Sequence, residues 1–174
     1  MDDITTLAVQ KVTKPNIEDV FPCYVDGEAL KTALDFITYL RENKMKPSWT
    51  LHNAWKCTYK SEVLYYIRLP LWRKEWTFTP YIHNINEYED KIDNEEMRKR
   101  ILGSLWYANP NCENKQKRGC ECDYHRELFG KQVHLCRGHS MWGYTAWFNS
   151  PNETEIEWIK MLLALEKQAR ANKR

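Results

Sequence analysis

Residues 49–69 read WTLHNAWKCTYKSEVLYYIRL, and their period of two decides the fold class. Trp49, Leu51, Trp55, Cys57 and Tyr59 share one parity, while Thr50, His52, Lys56 and Thr58 share the other. Successive strand side chains point to opposite faces, so this alternation predicts a half-buried strand with Trp55 and Cys57 inward and Lys56 and Thr58 outward. Lys60-Ser61 then reads as a short polar turn. Val63, Tyr65, Ile67 and Leu69 alternate again until Pro70 ends the run. A third strand is expected over about 75–83, with Trp76, Phe78 and Ile82 on one side. Three consecutive strands joined by short turns predict an antiparallel meander.

Helical spacing flanks this meander. Asp26 suits a helix N-cap, and Leu30, Ala33, Leu34, Ile37 and Leu40 follow as an apolar stripe, which predicts a helix over about 26–43. A second helix is expected over about 94–107, opened by a capping box of Asp93 and Glu96 and burying Met97, Ile101 and Leu105. The third begins at Ser150-Pro151-Asn152-Glu153, with Pro151 at the first helical position and Glu153 completing a box. It buries Ile156, Ile159, Leu162, Leu163 and Ala169, and a tail over 171–174 is expected to fray. Two further strands, over about 132–136 and 141–148, complete the list. Residues 6–12 suggest a short strand, and Pro15 and Pro22 an extended segment after it. The fold class read from this order is α+β: an antiparallel sheet of a three-stranded meander plus two more strands, with three α-helices packed mainly on one face.

The chain has 174 residues, a length that fits one domain with its own core. Its net charge of +2 argues against a phosphate-binding surface, and Lys and Arg runs such as Arg98-Lys99-Arg100 read as solvated faces. No apolar run has the length of a membrane span, and the acidic start, Met1-Asp2-Asp3, lacks a signal core. A cytoplasmic protein is the expectation. In that compartment six cysteines read as thiols or metal ligands before disulfides.

Four of those cysteines fall in one Cys-rich loop and the strand that follows it: Cys112-x7-Cys120-x-Cys122-x13-Cys136, with the loop assigned to 111–131. Structural zinc takes four Cys or His ligands in a closed tetrahedron, and these four thiols form a candidate set. His125, His134 and His139 stand nearby as substitutes. Residues 113–118 are wholly polar, so burial does little to offset the entropy of ordering them, and a metal clip would supply what the core does not. The bland alternative is a cysteine-bearing surface loop. Cys120 also lies close to Lys117 and Arg118, which favour a thiolate, with His125 as a possible base.

Aromatic residues give the second candidate site. Eight Trp, ten Tyr and five Phe exceed what a core of this size commonly uses. Trp49, Trp55, Tyr65, Trp76 and Trp142 could line a pocket for a small apolar or cationic ligand. Their bland reading is core filling.

Two stretches carry a resemblance. Residues 49–69, together with the segment from Cys120 through Phe129-Gly130-Lys131 to Cys136 and on to Phe148-Asn149-Ser150-Pro151, resemble small uncharacterised bacterial proteins of Gram-positive anaerobes. The helix followed by a meander is also similar in topology to GyrI-like effector-binding domains. That match is topological only, and fold alone does not license function. The functional expectation is a small-molecule-binding or regulatory module with an aromatic-lined face and a Cys-rich segment that is zinc-stabilised or redox-active. The alternative is a small enzyme using a cysteine thiolate or a metal site.

Overall fold

The structure is a computed structural model, and it describes residues 3–70, 75–104, 124–135 and 146–172. They comprise five α-helices: α1 (Leu7–Thr13), α2 (Ile17–Val20), α3 (Gly27–Glu42), α4 (Glu95–Ser104) and α5 (Glu153–Asn172). The strands are β1 (Ser48–Leu51), β2 (Ala54–Tyr59), β3 (Glu62–Arg68), β4 (Thr77–Pro80), β5 (Tyr124–Leu128), β6 (Lys131–Leu135) and β7 (Phe148–Asn149). The fold is α+β. Chain contacts group into two compact units, one of residues 1–80 and 148–163, the other of 81–147 and 164–174.

The first unit holds an antiparallel five-stranded sheet in the order β1-β2-β3-β4-β7. The expected first strand is in fact a hairpin. The chain reverses at His52-Asn53, where Asn53 takes a left-handed backbone (φ 51°) that asparagine tolerates better than most residues. Alternation survives the reversal because Trp49 and Trp55 become register partners. Beyond the turn the expected burial holds. Trp55 and Cys57 are buried, Lys56 is half-buried and Thr58 exposed. Lys60 and Ser61 both adopt positive φ (51° and 67°) between Tyr59 and Glu62, which makes the two-residue primed turn whose twist matches a hairpin.

Before the sheet, the expected strand at 6–12 is α1, and the expected extended segment holds α2 and a 3-10 turn, Phe21–Cys23. Thr6 caps α1 through Val9 N (3.4 Å), and Gln10 is its one buried residue. The apolar Leu7 and Val12 that suggested a strand stay exposed. Helix α3 matches its expected limits and buries Ala33, Phe36, Ile37 and Leu40. Arg41 near its end clasps Glu18 of α2 with two hydrogen bonds. In the core, Trp76 packs edge-on to Phe21 (5.5 Å) and tilted to Phe36 (6.2 Å), and Phe78 bridges Phe36 (5.1 Å) to Tyr65 (4.9 Å).

Helix α5 starts with a capping box shifted from the expected one. Asn152 Oδ1 accepts from Glu155 N (2.9 Å), and Glu155 Oε2 accepts from Asn152 N (3.3 Å). Ser150 is used elsewhere: its Oγ accepts from Trp76 N (3.2 Å), tying the start of α5 to β4. Replacing Asn152 by alanine is therefore expected to cost about 0.5–2 kcal/mol, read as a lower denaturation midpoint with an unchanged m-value.

In the second unit, α4 is capped by Asn94 (Met97 N to Oδ1, 2.8 Å) and not by Asp93. It buries Met97, Ile101 and Leu102. The segment expected to be loop up to residue 131 contains β5, which pairs with β6 in a separate two-stranded sheet. The reversal at Phe129-Gly130 again has two positive φ values, 52° and 70°. Phenylalanine is unusual there. Its amide donates to Glu89 Oε2 (2.7 Å), and the Arg98 guanidinium lies 5.6 Å from its ring, which together hold the turn.

Candidate functional site

The surface feature with the most chemistry is a groove of the first unit, of about 520 Å³, where the N-terminal turns of α3 and α5 meet the start of β4. Glu28, Ala29 and Thr32 line it from α3. Pro151, Asn152, Glu153 and Thr154 line it from the α5 entry, with Ser150 and Trp76 beside them. The sequence builds this locally. Asp26 in extended backbone starts α3, so Glu28 and Thr32 fall one turn apart on the same side. The Asn152 cap starts α5, and the Ser150–Trp76 hydrogen bond brings the indole-bearing residue to the same place.

A second, smaller groove of about 290 Å³ shares Glu28, Thr32 and Glu153 and continues between the helices past Asp35, Phe36, Ile156 and Glu157. Lys31 and Lys160 line this part, and each is already engaged. Lys31 Nζ donates to Glu28 (3.2 Å), and Lys160 Nζ donates to Glu157 (2.6 Å) while lying 4.8 Å from the Tyr39 ring centroid. The hydrogen bond to Glu28, and then the charges of Glu28, Asp35 and Glu153, hold the Lys31 ammonium above the usual lysine range. The field along both grooves is therefore net negative. The larger groove has two carboxylates and no lysine or arginine among its described lining residues.

The residues expected to bind a ligand have diverse places. Trp76 is at the groove but is itself buried. Trp55 is fully buried, its indole N–H donating to Pro15 O (2.9 Å). Tyr65 is fully buried and donates to Met45 O (2.5 Å). Burial, with the neighbouring Cys57 thiol second, pushes its phenol well above the usual tyrosine value. Trp49 is half-buried, donating to Gln10 Oε1 (3.3 Å). Trp76 and Tyr65 join one aromatic cluster through Phe36 and Phe78, while Trp49 and Trp55 pair across the β1–β2 hairpin. Trp142 lies outside the described residues, as do Cys112, Cys120, Cys122 and Cys136. The two described cysteines are Cys23, exposed, and Cys57, buried. Among the described residues no group of three or more His, Cys, Asp or Glu gathers to hold a metal ion. No helix among them is long and apolar enough to cross a membrane.

Sequence reasoning missed two buried polar clusters. One joins Gln10, Asn53, Tyr24 and Trp49 in the first unit. The other joins Glu166, Arg170, Asn84 and Tyr88 in the second. A signal for the latter existed. Glu166 and Arg170 continue the stripe set by Leu162, Leu163 and Ala169, and they are spaced i, i+4. Compared with known protein families, with curated proteins and with solved structures, the chain matches none.

Proposed function

We propose that the chain is a cytoplasmic small-molecule-binding or regulatory module, and that the groove at the α3 and α5 N-termini receives a small organic cation. The carrying observation is the pairing of Glu28 and Glu153 beside the Trp76 position in a groove with no lysine or arginine among its described lining residues. A cation with an apolar body suits that combination, since the carboxylates supply the charge and Ala29, Pro151 and Trp76 supply the apolar part of the lining. Of the five aromatic residues considered, Trp76 has the groove position that favours the reading; Trp49, Trp55 and Tyr65 are tied to protein partners.

Zinc held by Cys112, Cys120, Cys122 and Cys136 belongs to the same proposal, supported by the polar composition of 113–118. Zinc content and a free-thiol count on chelator-free protein test it. One zinc per chain with those four thiols protected is expected; four reactive thiols and no zinc overturn it.

The groove is tested by thermal shift with quaternary ammonium and aromatic amine compounds, each beside a neutral isostere. A compound at a hundredfold excess over its Kd stabilises the native state by about 2.7 kcal/mol. At roughly 2–4 °C per kcal/mol for a chain of this size, the melting point should rise by several degrees. Glu28→Gln with Glu153→Gln should abolish the shift and leave the melting point of the free protein close to wild type, because both carboxylates sit on helix surfaces. Equal shifts from cations and neutral isosteres, or no shift from any cation, refute the reading.

A further inference from the structure

The β5–β6 hairpin pairs with no other strand among the described residues. A two-stranded hairpin by itself is marginally stable at best in water, so its order depends on what the rest of the chain holds it against. Its own sequence does not favour its turn. Phe129 and Gly130 join Leu128 to Lys131 with positive φ at both positions, 52° and 70°, as a two-residue primed turn requires. Glycine takes such a backbone freely, and asparagine takes it better than most residues. A bulky phenylalanine there is strained, and strain of this kind persists only where surrounding contacts over-determine it.

Two contacts do so here. Phe129 N donates to Glu89 Oε2 (2.7 Å), and Arg98 Cζ lies 5.6 Å from the centroid of the Phe129 ring. Both partners are fixed from behind. Glu89 follows Tyr88, which is buried and whose hydroxyl donates to Glu166 (2.8 Å). Arg98 Nε donates to the Ile92 carbonyl, which ties the guanidinium to the segment just after Glu89. Glu89 and Phe129 themselves are only half-buried, so the hold on the tip stands at the surface. Behind the tip, Leu128 and Val133 are buried.

We propose that the β5–β6 hairpin is a strap latched at its tip: Glu89 and Arg98 hold Phe129 in its strained turn, and when this latch lets go, residues 124–135 open as one unit while the rest of the chain stays folded. Opening relaxes the Phe129 backbone and uncovers Leu128 and Val133. The strap keeps its internal β5–β6 ladder for as long as its turn is held, because that ladder needs no strand from outside it. The device rests on neither the groove nor the cysteine set.

The test is native-state hydrogen exchange of the full chain, followed by NMR across a series of low urea concentrations. Amides of residues 124–135 should share one opening equilibrium. It should be more populated than the opening of β2 and β3, and less dependent on urea because less surface is exposed. Glu89→Ala removes the acceptor at a half-buried position and should speed exchange over 124–135 by roughly 10- to 100-fold, the loss expected for a hydrogen bond to a charged group. Adding Phe129→Asn to that variant should slow exchange again, because Asn-Gly suits the primed turn and needs no latch. The wild-type measurement stands apart from any folding defect in the variants. Exchange of 124–135 with the same equilibrium and urea dependence as β2 and β3 overturns the proposal, since the hairpin would then open only with global unfolding. Unprotected amides over 124–135 in the wild-type chain overturn it as well, since nothing would then be latched. So does exchange that Glu89→Ala leaves unchanged, or that Phe129→Asn does not slow.

Discussion

Glu166→Ala is expected to destabilise the protein by about 3–5 kcal/mol, the cost of leaving a buried charge without its partner. Glu166 and Arg170 are 1% and 3% exposed, and Arg170 Nε lies 2.8 Å from Glu166 Oε1. Asn84 donates to the same carboxylate through its backbone N (3.2 Å) and Nδ2 (2.7 Å), and Tyr88 through its hydroxyl (2.8 Å). Arg170 also reaches Tyr81 O (3.3 Å). Removing the carboxylate takes this acceptor from a guanidinium, a phenol and an amide at once. Removing both charges with Glu166→Leu and Arg170→Met should recover part of the loss, because no lone charge remains buried, while Asn84 and Tyr88 still lack their acceptor. Denaturant midpoints of the single and double variants check this. A single variant within about 1 kcal/mol of wild type would show that the network contributes little.

The same network gives an alkaline limit to stability. Burial, and then the Glu166 carboxylate, push the Tyr88 phenol well above its ordinary value near 10. A group whose pKa is raised on folding contributes stability that is complete below the unfolded value and is lost as pH rises through the folded one. Stability should therefore decline above about pH 10, and Tyr88→Phe should flatten that decline. Tyr65, raised for the same primary reason, contributes with the same sign.

Gln10→Met is expected to cost roughly 1–3 kcal/mol for each buried Asn53 group it leaves without a partner. Gln10 is fully buried. Its Oε1 accepts from Asn53 N (2.8 Å), and its Nε2 donates to Asn53 Oδ1 (2.6 Å) and to Ile4 O (2.9 Å). Methionine keeps the volume and removes these bonds, so the change isolates the polar contribution from cavity formation. Asn53 holds the left-handed turn of the β1–β2 hairpin and donates to Tyr24 OH (2.7 Å), so the variant should also raise hydrogen exchange at the turn. Loss of stability without faster exchange in residues 50–55 would place the effect elsewhere.

Both clusters show what the sequence could and could not disclose. The β2 and β3 strands were legible because a half-buried strand must alternate, and Trp55, Cys57, Tyr65 and Ile67 do so. The core stripes of α3 and α5 were legible for the same reason at a period of 3.6, although Phe36 escaped the first of them. The break at Asn53 was hidden because the register shift between Trp49 and Leu51 restores the parity that the two-residue turn inverts, leaving Trp49 and Trp55 in phase. Helix α1 was hidden because its apolar residues face outward and a glutamine faces inward, an inversion set by a partner forty-three positions away. The groove was not visible either, since Glu28 and Glu153 read as the acidic first turns of two unrelated helices. The cysteine spacing named residues that lie outside the described part, so sequence remains the ground for that site.

Local periodicity, turn chemistry and capping residues by themselves determined the α+β class, the antiparallel pairing of β2 with β3 and the inward faces of the longer helices, because each depends on neighbours within a few residues. Tertiary structure alone decided that residues 49–59 form two strands, that Gln10 and Glu166 are buried, that β5 and β6 form a separate sheet, and that two helix N-termini meet beside Trp76. In each of these the deciding energy comes from a partner distant in sequence, and no local pattern carries it.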